Sequence, residues 1–180
     1  MNYTTQNELL LNKLLQFYEK NNNLKTMLNI INGSSKISLR IVDWFVTNYA
    51  KKYFTVFFLT NKDRIKVYDD YKLKLKAYSK KRFDPFCRWE RISIPLNDEV
   101  HIQTTIGQLN FFKWAIENKI LDYIDTNLQI IEHDMNDRNN SRSRENKKDL
   151  NKTRKKREEL SISACRGIKR ENIEVTIEFN

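Results

Sequence analysis

The spacing of apolar residues changes several times along this chain of 180 residues, and these changes constrain its fold more than any motif does. Apolar side chains recur at helical spacing in residues 7–31, 37–49 and 105–135. Residues 54–68 and 92–104 instead hold β-rich runs around polar turns, which is typical of hairpins. With 10 Phe, 8 Tyr and 3 Trp, the chain is too aromatic to be disordered, so we expect it to bury a core.

A helix is predicted between the two hairpins, with Asp69 or Asp70 as its N-cap and its end near Ser79. The side chains expected on its buried side are Leu73, Ala77, Tyr71 and Tyr78. Basic residues recur at intervals of four and therefore share another face, here called the lysine face: Lys72, Lys76 and Lys80.

The helical stretch after the second hairpin has a recognisable start. Thr105 and Gln108 fit a capping box, Thr-x-x-Gln. The apolar stripe continues to about Met135, and two helices broken near Asn118–Lys119 or one bent helix fit it equally. Trp114 on this element is expected in the core or in an interface and not as a platform for stacking bases.

The end of the chain combines a polar segment with a strand. Residues 136–160 have almost no apolar side chains and are expected to form a linker or arm, whereas alternation from Ile173 to Phe179 predicts a half-buried strand. The predicted class is α+β, a small antiparallel sheet of two hairpins and a C-terminal strand, packed with amphipathic helices. The expected divisions are N-terminal helices (1–33), an α+β core (34–135), a basic arm (136–171) and a returning strand (172–180).

Positive charge is confined to two segments of the chain. The net charge is +10, and residues 62–91 carry +6 while residues 138–157 carry +8, so the remainder is acidic. Phosphate binding depends on local potential and counterion release, so this distribution favours an anionic partner. A solvated helix face for the first segment and a soluble linker for the second are the alternatives.

The segment from Phe83 to Arg91 allows two interpretations. Pro85 makes it a turn, because proline disfavours a helical conformation at the preceding Asp84. In the first interpretation, Phe83, Phe86 and Trp89 form an apolar plug while Asp84 pairs with Arg88 or Arg91. In the second, the plug positions the two arginines as phosphate ligands.

Nucleic acid is the predicted partner, either DNA or RNA. Arg and Lys would contact phosphates, and exposed aromatic residues could stack on bases. The aromatic residues that interleave with the first basic segment are Tyr68, Tyr71, Tyr78, Phe83, Phe86 and Trp89. The predicted phosphate contacts are Lys72, Lys76, Lys80, Lys81, Arg82, Arg88, Arg91, Lys152, Arg154, Lys155, Lys156 and Arg157.

No cofactor, metal site or catalytic residue is predicted. Only three glycines are present, and Cys87, His101, His133 and Cys165 lie at no metal-ligand spacing. The cysteines are expected to be free thiols in a reducing compartment. No apolar run is long enough to span a membrane, and the N-terminus has no basic and apolar regions of a signal peptide, so no membrane partner is expected.

Three segments resemble a family of small proteins from nucleocytoplasmic large DNA viruses, chiefly mimivirus-like giant viruses. They are Ile37–Tyr49, Tyr78–Arg88 and Thr104–Ile116, and the similarity covers roughly residues 25–180. The resemblance carries over no catalytic residue. It implies a virus-encoded protein located in the host cytoplasm, at the viral factory, or in the virion.

The sequence is compatible with three functions. The first is a non-enzymatic nucleic-acid-binding protein without sequence preference. The alternative is a virion structural or assembly protein, in which Trp114 and the apolar helices meet viral protein partners and the basic arm threads between subunits. A third is a phosphoryl-transfer enzyme that uses Asp84 and Glu90 with a divalent metal. The oligomeric state is not predicted.

Overall fold

The computed structural model describes residues 5–59, 63–87, 90–95, 100–148 and 169–172, and the structural statements below concern these residues. The predicted α+β class is confirmed, since helices pack with two small antiparallel sheets. The helices are α1 (Gln6–Tyr18), α2 (Asn23–Ile31), α3 (Leu39–Trp44), α4 (Ala50–Lys52), α5 (Val67–Phe83), α6 (Ile106–Glu117), α7 (Ile120–Thr126) and α8 (Leu128–Lys148). The strands are β1 (Val56–Phe58), β2 (Arg64–Lys66), β3 (Arg91–Pro95), β4 (Val100–Thr105) and β5 (Lys169–Asn172).

Capping side chains begin two helices of the N-terminal half, α1 and α3. Thr5 and Glu8 form a complete capping box at α1, with the Thr5 N–H donating to the Glu8 carboxylate over 2.7 Å. Asn21 and Asn22 have φ of 53° and 56°, which separates α1 from α2 as the asparagine run predicts. Ser38 caps α3, since its hydroxyl accepts the Ile41 N–H.

The helical stretch predicted at residues 37–49 extends beyond its predicted end, to Lys52. A π-helical turn, Phe45–Tyr49, joins α3 to α4, so helical backbone continues from Leu39 to Lys52. The wider turn keeps both Phe45 and Val46 fully buried.

The capping box predicted before α6 is half formed. The Thr105 hydroxyl accepts the backbone N–H of Gln108 over 3.1 Å. The side-chain oxygen of Gln108, however, accepts from the Thr104 hydroxyl instead of from the N-cap backbone. The stripe that follows forms separate helices and not one bent helix, because Lys119 has a φ of 53° and Asn127 ends α7. The break between α6 and α7 therefore lies near Asn118–Lys119, where the prediction of two separate helices placed it.

The C-terminal region differs from the predicted arm in two places. Helix α8 continues through residue 136 to Lys148, because its first turns pack on α3 and provide a template for the polar residues that follow. Strand β5 covers Lys169–Asn172, of which the first three residues lie in the segment predicted as arm, and the whole strand predicted from Ile173 to Phe179 lies outside the described residues.

The two hairpins form separate sheets and not the single sheet that was predicted. Strand β1 pairs with β2 alone, whereas β4 pairs with β3 on one side and β5 on the other, all antiparallel. Helix α5 connects the hairpins along the chain and packs against β2, the helical stretch of residues 45–52 and α6.

One apolar core joins the N-terminal helices to the rest of the chain. Helix α6 lies near its centre and packs on α1, α2, α5 and α7. Its fully buried side chains include Leu109, Phe111 and Phe112. The buried Tyr18 hydroxyl donates to the Leu109 carbonyl over 2.6 Å, so α1 is tied directly to α6.

Candidate nucleic-acid interface

Helix α5 carries Lys72 and Lys76 of the lysine face on its solvent side, and Lys80 follows the interruption of the helix at Ser79. Lys72, Lys76 and Lys80 are all exposed. Their ammonium groups form no ion pair or hydrogen bond with any residue that the structure describes. Three charges without counter-ions along one helix produce a local positive potential.

The opposite side of α5 is held against α6. The Trp114 Nε1–H donates to the Asp70 carboxylate over 2.5 Å, and the Tyr71 ring lies 5.9 Å from those of Phe83 and Trp114. Asp70 therefore anchors the helix, and the N-cap position belongs to Lys66 and not to Asp69 or Asp70 as predicted. This packing fixes the orientation of the lysine face.

Two residues predicted on the buried side of α5 are exposed. Leu73 is 65% exposed and Ala77 is also exposed, because the contacts with α6 are made by the larger rings of Tyr71 and Phe83. Tyr71 is buried as predicted, and Tyr78 is half-buried.

A polar cleft of about 410 Å³ lies at the end of α5 and is here called the α5 cleft. Ser79 lines it and interrupts the helix with φ 65° and ψ 165°, a conformation that is strained for any residue with a Cβ. Backbone strain of this kind is concentrated at functional sites. The lining residues are Asn7, Ser79, Lys81, Arg82, Glu90, Thr105 and Ile106.

Arg82 is held in the α5 cleft by uncharged partners. Its Nε–H donates to the Asn7 side-chain oxygen over 2.8 Å, and its Nη1 group donates to Gln6 over 3.4 Å. Amide oxygens orient the guanidinium without cancelling its charge, so the arginine is positioned to meet an anion.

A glycine allows the two helices that border the α5 cleft to approach. A Cβ at Gly107 in α6 would lie 3.0 Å from the carbonyl oxygens of Lys81 and Asp84. Any larger residue would push the start of α6 away from the end of α5.

The other residues predicted to contact phosphates are not part of α5, or they lie outside the described residues. Arg91 is exposed on β3. Arg88, Lys152, Arg154, Lys155, Lys156 and Arg157 lie outside the described residues. The structure therefore brings together the contacts predicted on α5, namely Lys72, Lys76, Lys80, Lys81 and Arg82.

The aromatic residues predicted to stack on bases are mostly not available for stacking. Tyr71 and Phe83 are buried in the core, Tyr68, Tyr78 and Phe86 are half-buried, and Trp89 lies outside the described residues. Trp114 is 3% exposed and belongs to the core, so it cannot meet a protein partner as the assembly hypothesis required.

The exposed aromatic rings lie instead at the first hairpin. Phe54 is 85% exposed and Phe58 is 69% exposed, and Tyr53 beside them is half exposed. The apolar pattern does not predict their exposure, because residues 56–59 form an unbroken apolar run, in which no alternation distinguishes an outward from an inward face.

Asp84 has a structural role at the turn, while Arg88, one of its two predicted partners, lies outside the described residues. Its carboxylate accepts the Phe86 N–H over 2.9 Å and so stabilises the turn at Pro85. Burial raises the pKa of the neighbouring Asp43 carboxyl to about 7, and the charge of Asp84 contributes to the rise. Glu90 lies in the α5 cleft.

The candidate metal ligands form no metal-binding cluster in the described part of the chain. Among the described residues, no three His, Cys, Asp or Glu side chains could hold a metal ion together. His133 pairs with Asp137 one turn along α8, Cys87 is half-buried, and Cys165 lies outside the described residues. In the same part of the chain no helix has the length and apolar character needed to cross a bilayer.

The fold and this interface define an α+β protein with one strongly basic helix held against its core. The chain belongs to a family described as a family of unknown function, DUF7197, which matches residues 1–156. It is 48% identical over 118 residues to an uncharacterized protein of Acanthamoeba polyphaga mimivirus, a match that covers 61% of this chain. The predicted giant-virus relationship is thereby confirmed. The matched region spans 46% of that relative's length, and no solved structure matches this chain.

Proposed function

We propose that this protein binds DNA or RNA without sequence preference by neutralising backbone phosphates with the lysine face of α5. The observation that carries the proposal is that Lys72, Lys76 and Lys80 are exposed and have no counter-ion among the described residues. Unpaired cations on one helix repel one another, and a phosphate backbone relieves this repulsion while releasing its own counterions.

The packing of α5 supports this proposal. The hydrogen bond between Asp70 and Trp114 and the rings around Tyr71 hold the helix before any ligand arrives, so binding loses little conformational freedom of the backbone. Arg82 adds an oriented charge at the end of the same helix. The proposal also includes Arg91 and the basic residues of 138–157 as further phosphate contacts.

The test is fluorescence anisotropy with labelled DNA and RNA, comparing two variants of equal charge. In the first variant Lys72, Lys76 and Lys80 are each changed to Gln, which removes three phosphate contacts. In the control Lys13, Lys20 and Lys25 are changed to Gln; these are exposed lysines on α1, α2 and the turn between them. The first variant should bind more weakly at every sequence, and its dependence of log K on log salt should flatten by about 3.

The control variant should bind as the unmodified protein does, because its lysines lie away from α5. Equal weakening of both variants would show that net charge and not the lysine face governs binding, which contradicts the proposal. Failure of the unmodified protein to bind at low salt would also contradict it.

A further inference from the structure

The first hairpin presents a face on which apolar side chains of β1 lie opposite basic side chains of β2. Phe57 and Ile65 pair across the strands and point to the core, where the Phe57 ring stacks on Tyr123 at 4.9 Å. The side chains of the other two pairs point outward, and these form the outer face: Val56 opposite Lys66 and Phe58 opposite Arg64.

The apolar part of the outer face is unusually open to solvent. Phe58 is 69% exposed and Val56 is 44% exposed. Phe54 lies two residues before the strand and is 85% exposed, and its φ of 48° is uncommon for a bulky residue. Two exposed rings four positions apart in the chain, with the exposed Val56 between them, indicate a binding surface.

The charges on the outer face are basic. The Arg64 and Lys66 side chains are exposed and form no ion pair with a described residue. Cross-strand neighbours lie about 5 Å apart at Cβ, so each cation lies beside an apolar side chain. The charge is therefore complementary to a polyanion that also offers flat apolar surfaces.

Single-stranded nucleic acid has both properties, whereas a duplex stacks its bases inside. We propose that the outer face binds single-stranded DNA or RNA, with Phe54 and Phe58 stacking on bases and with Arg64 and Lys66 contacting phosphates. This inference rests on the proposed function and extends it with a preference for single strands. Aromatic stacking of this kind tolerates any base, in keeping with binding without sequence preference.

The outer face is continuous in the chain with the lysine face. Lys66 ends β2 and Val67 begins α5, so no linker separates the two surfaces. A strand bound on the hairpin can therefore extend along α5, and the two surfaces together hold five of the eleven basic residues of 62–91.

The test compares single-stranded and duplex DNA of the same length and mixed sequence by anisotropy. In one variant Phe54 and Phe58 are changed to Leu, which keeps an apolar side chain but removes the ring. In the matched variant both are changed to Tyr, which keeps the ring. The leucine variant should lose about tenfold or more in single-strand affinity, since each stacked base contributes separately. Its duplex affinity should not change, and the tyrosine variant should bind both ligands normally.

A third variant, R64Q with K66Q, separates the role of charge. Because two phosphate contacts to a single strand are lost, its salt slope should flatten by about 1.4, while the leucine variant keeps the original slope. Thermal unfolding checks that all variants fold; these side chains are exposed, so their midpoints should match that of the unmodified protein.

Each other result overturns the inference in a distinguishable way. Unchanged single-strand binding by the leucine variant removes the hairpin proposal and leaves the lysine face untouched. Equal losses in the leucine and tyrosine variants, or equal losses on single strands and duplexes, exclude base stacking. If the unmodified protein binds neither ligand, both proposals fail and the hairpin becomes a surface for a protein partner.

Discussion

At the scale of single residues, the fold places one carboxyl group where ionisation is unfavourable. Asp43 on α3 is half-buried, and its pKa rises from 3.8 to about 7 because burial disfavours the charged form and Asp84 repels it. Burial, with the charges of Asp43 and Asp84, also raises the pKa of Tyr71. Asp43 lies on α3, Tyr71 on α5 and Asp84 in the turn before β3, so their electrostatic interactions link these three elements.

We predict that stability falls as pH rises from about 4 to about 7. In this range the folded chain retains a proton on Asp43 that the unfolded chain has lost, so the free energy of unfolding decreases by up to about 4 kcal/mol. Asp43→Asn should remove this decrease and make the protein more stable than the unmodified chain at pH 8. Urea unfolding across the pH range measures both effects.

The exposed Asp125 on α7 supplies the control, and Asp125→Asn should leave the pH dependence unchanged. If Asp43→Asn shows the same fall in stability between pH 4 and 7 as the unmodified protein, the assignment to Asp43 is wrong.

Sequence reasoning was limited at this scale by contacts between distant residues. The pattern predicted the exposed lysines correctly, because charge and helical spacing are local properties. It could not predict that Asp84 would accept a backbone N–H, that Asp70 would bind the Trp114 indole, or that Ser79 would adopt a positive φ. Those outcomes depend on how α5 packs against α6.

At the scale of elements, one aspartate fixes α8 to the helical stretch of residues 39–52. Asp134 accepts hydrogen bonds from the Trp44 indole at 3.1 Å, the Tyr53 hydroxyl at 3.0 Å and the Lys52 ammonium at 2.5 Å. Burial alone would raise the pKa of Asp134, but these three donors outweigh it and hold the pKa below its ordinary value.

We predict that Asp134→Ala destabilises the protein by about 2–3 kcal/mol, because the buried indole and its neighbours lose their acceptor. Each kcal/mol corresponds to about 2–4 °C in Tm for a chain of this size, so calorimetry measures the change directly. The matched control is Asp137→Ala on the same helix, where the pair with His133 is exposed and should contribute within about 0.5 kcal/mol. Equal effects of the two substitutions would contradict the anchoring role of Asp134.

Local periodicity predicted most helices and strands, but it did not predict where the α-helical backbone changes to a π-helical turn. The two N-terminal helices, both hairpins and the start of α6 follow from spacing and caps. The π-helical turn at Phe45–Tyr49 and strand β5 do not, since β5 has the sequence Lys-Arg-Glu-Asn and is stabilised by pairing with β4. The outward rings of the first hairpin were missed for a related reason, because only the register between β1 and β2 assigns Phe58 to a face.

At the scale of the whole molecule, a single core supports two adjoining basic surfaces. Helix α6 holds α5 in place, and α5, which carries the lysine face, begins directly after the hairpin strand that carries Arg64 and Lys66. The family and its mimivirus relative establish a viral protein but assign it no activity, so the charge and exposure of these surfaces carry the functional argument.

The salt dependence of nucleic-acid binding by the unmodified chain tests this account most directly. If six to eight phosphates are neutralised, log K should fall with log salt with a slope of about −5 to −7 for duplexes and about −4 to −6 for single strands. Anisotropy at several salt concentrations, with single-stranded and duplex DNA and RNA, measures that slope. A slope near zero, or no binding at low salt, would contradict the account and direct attention to protein partners.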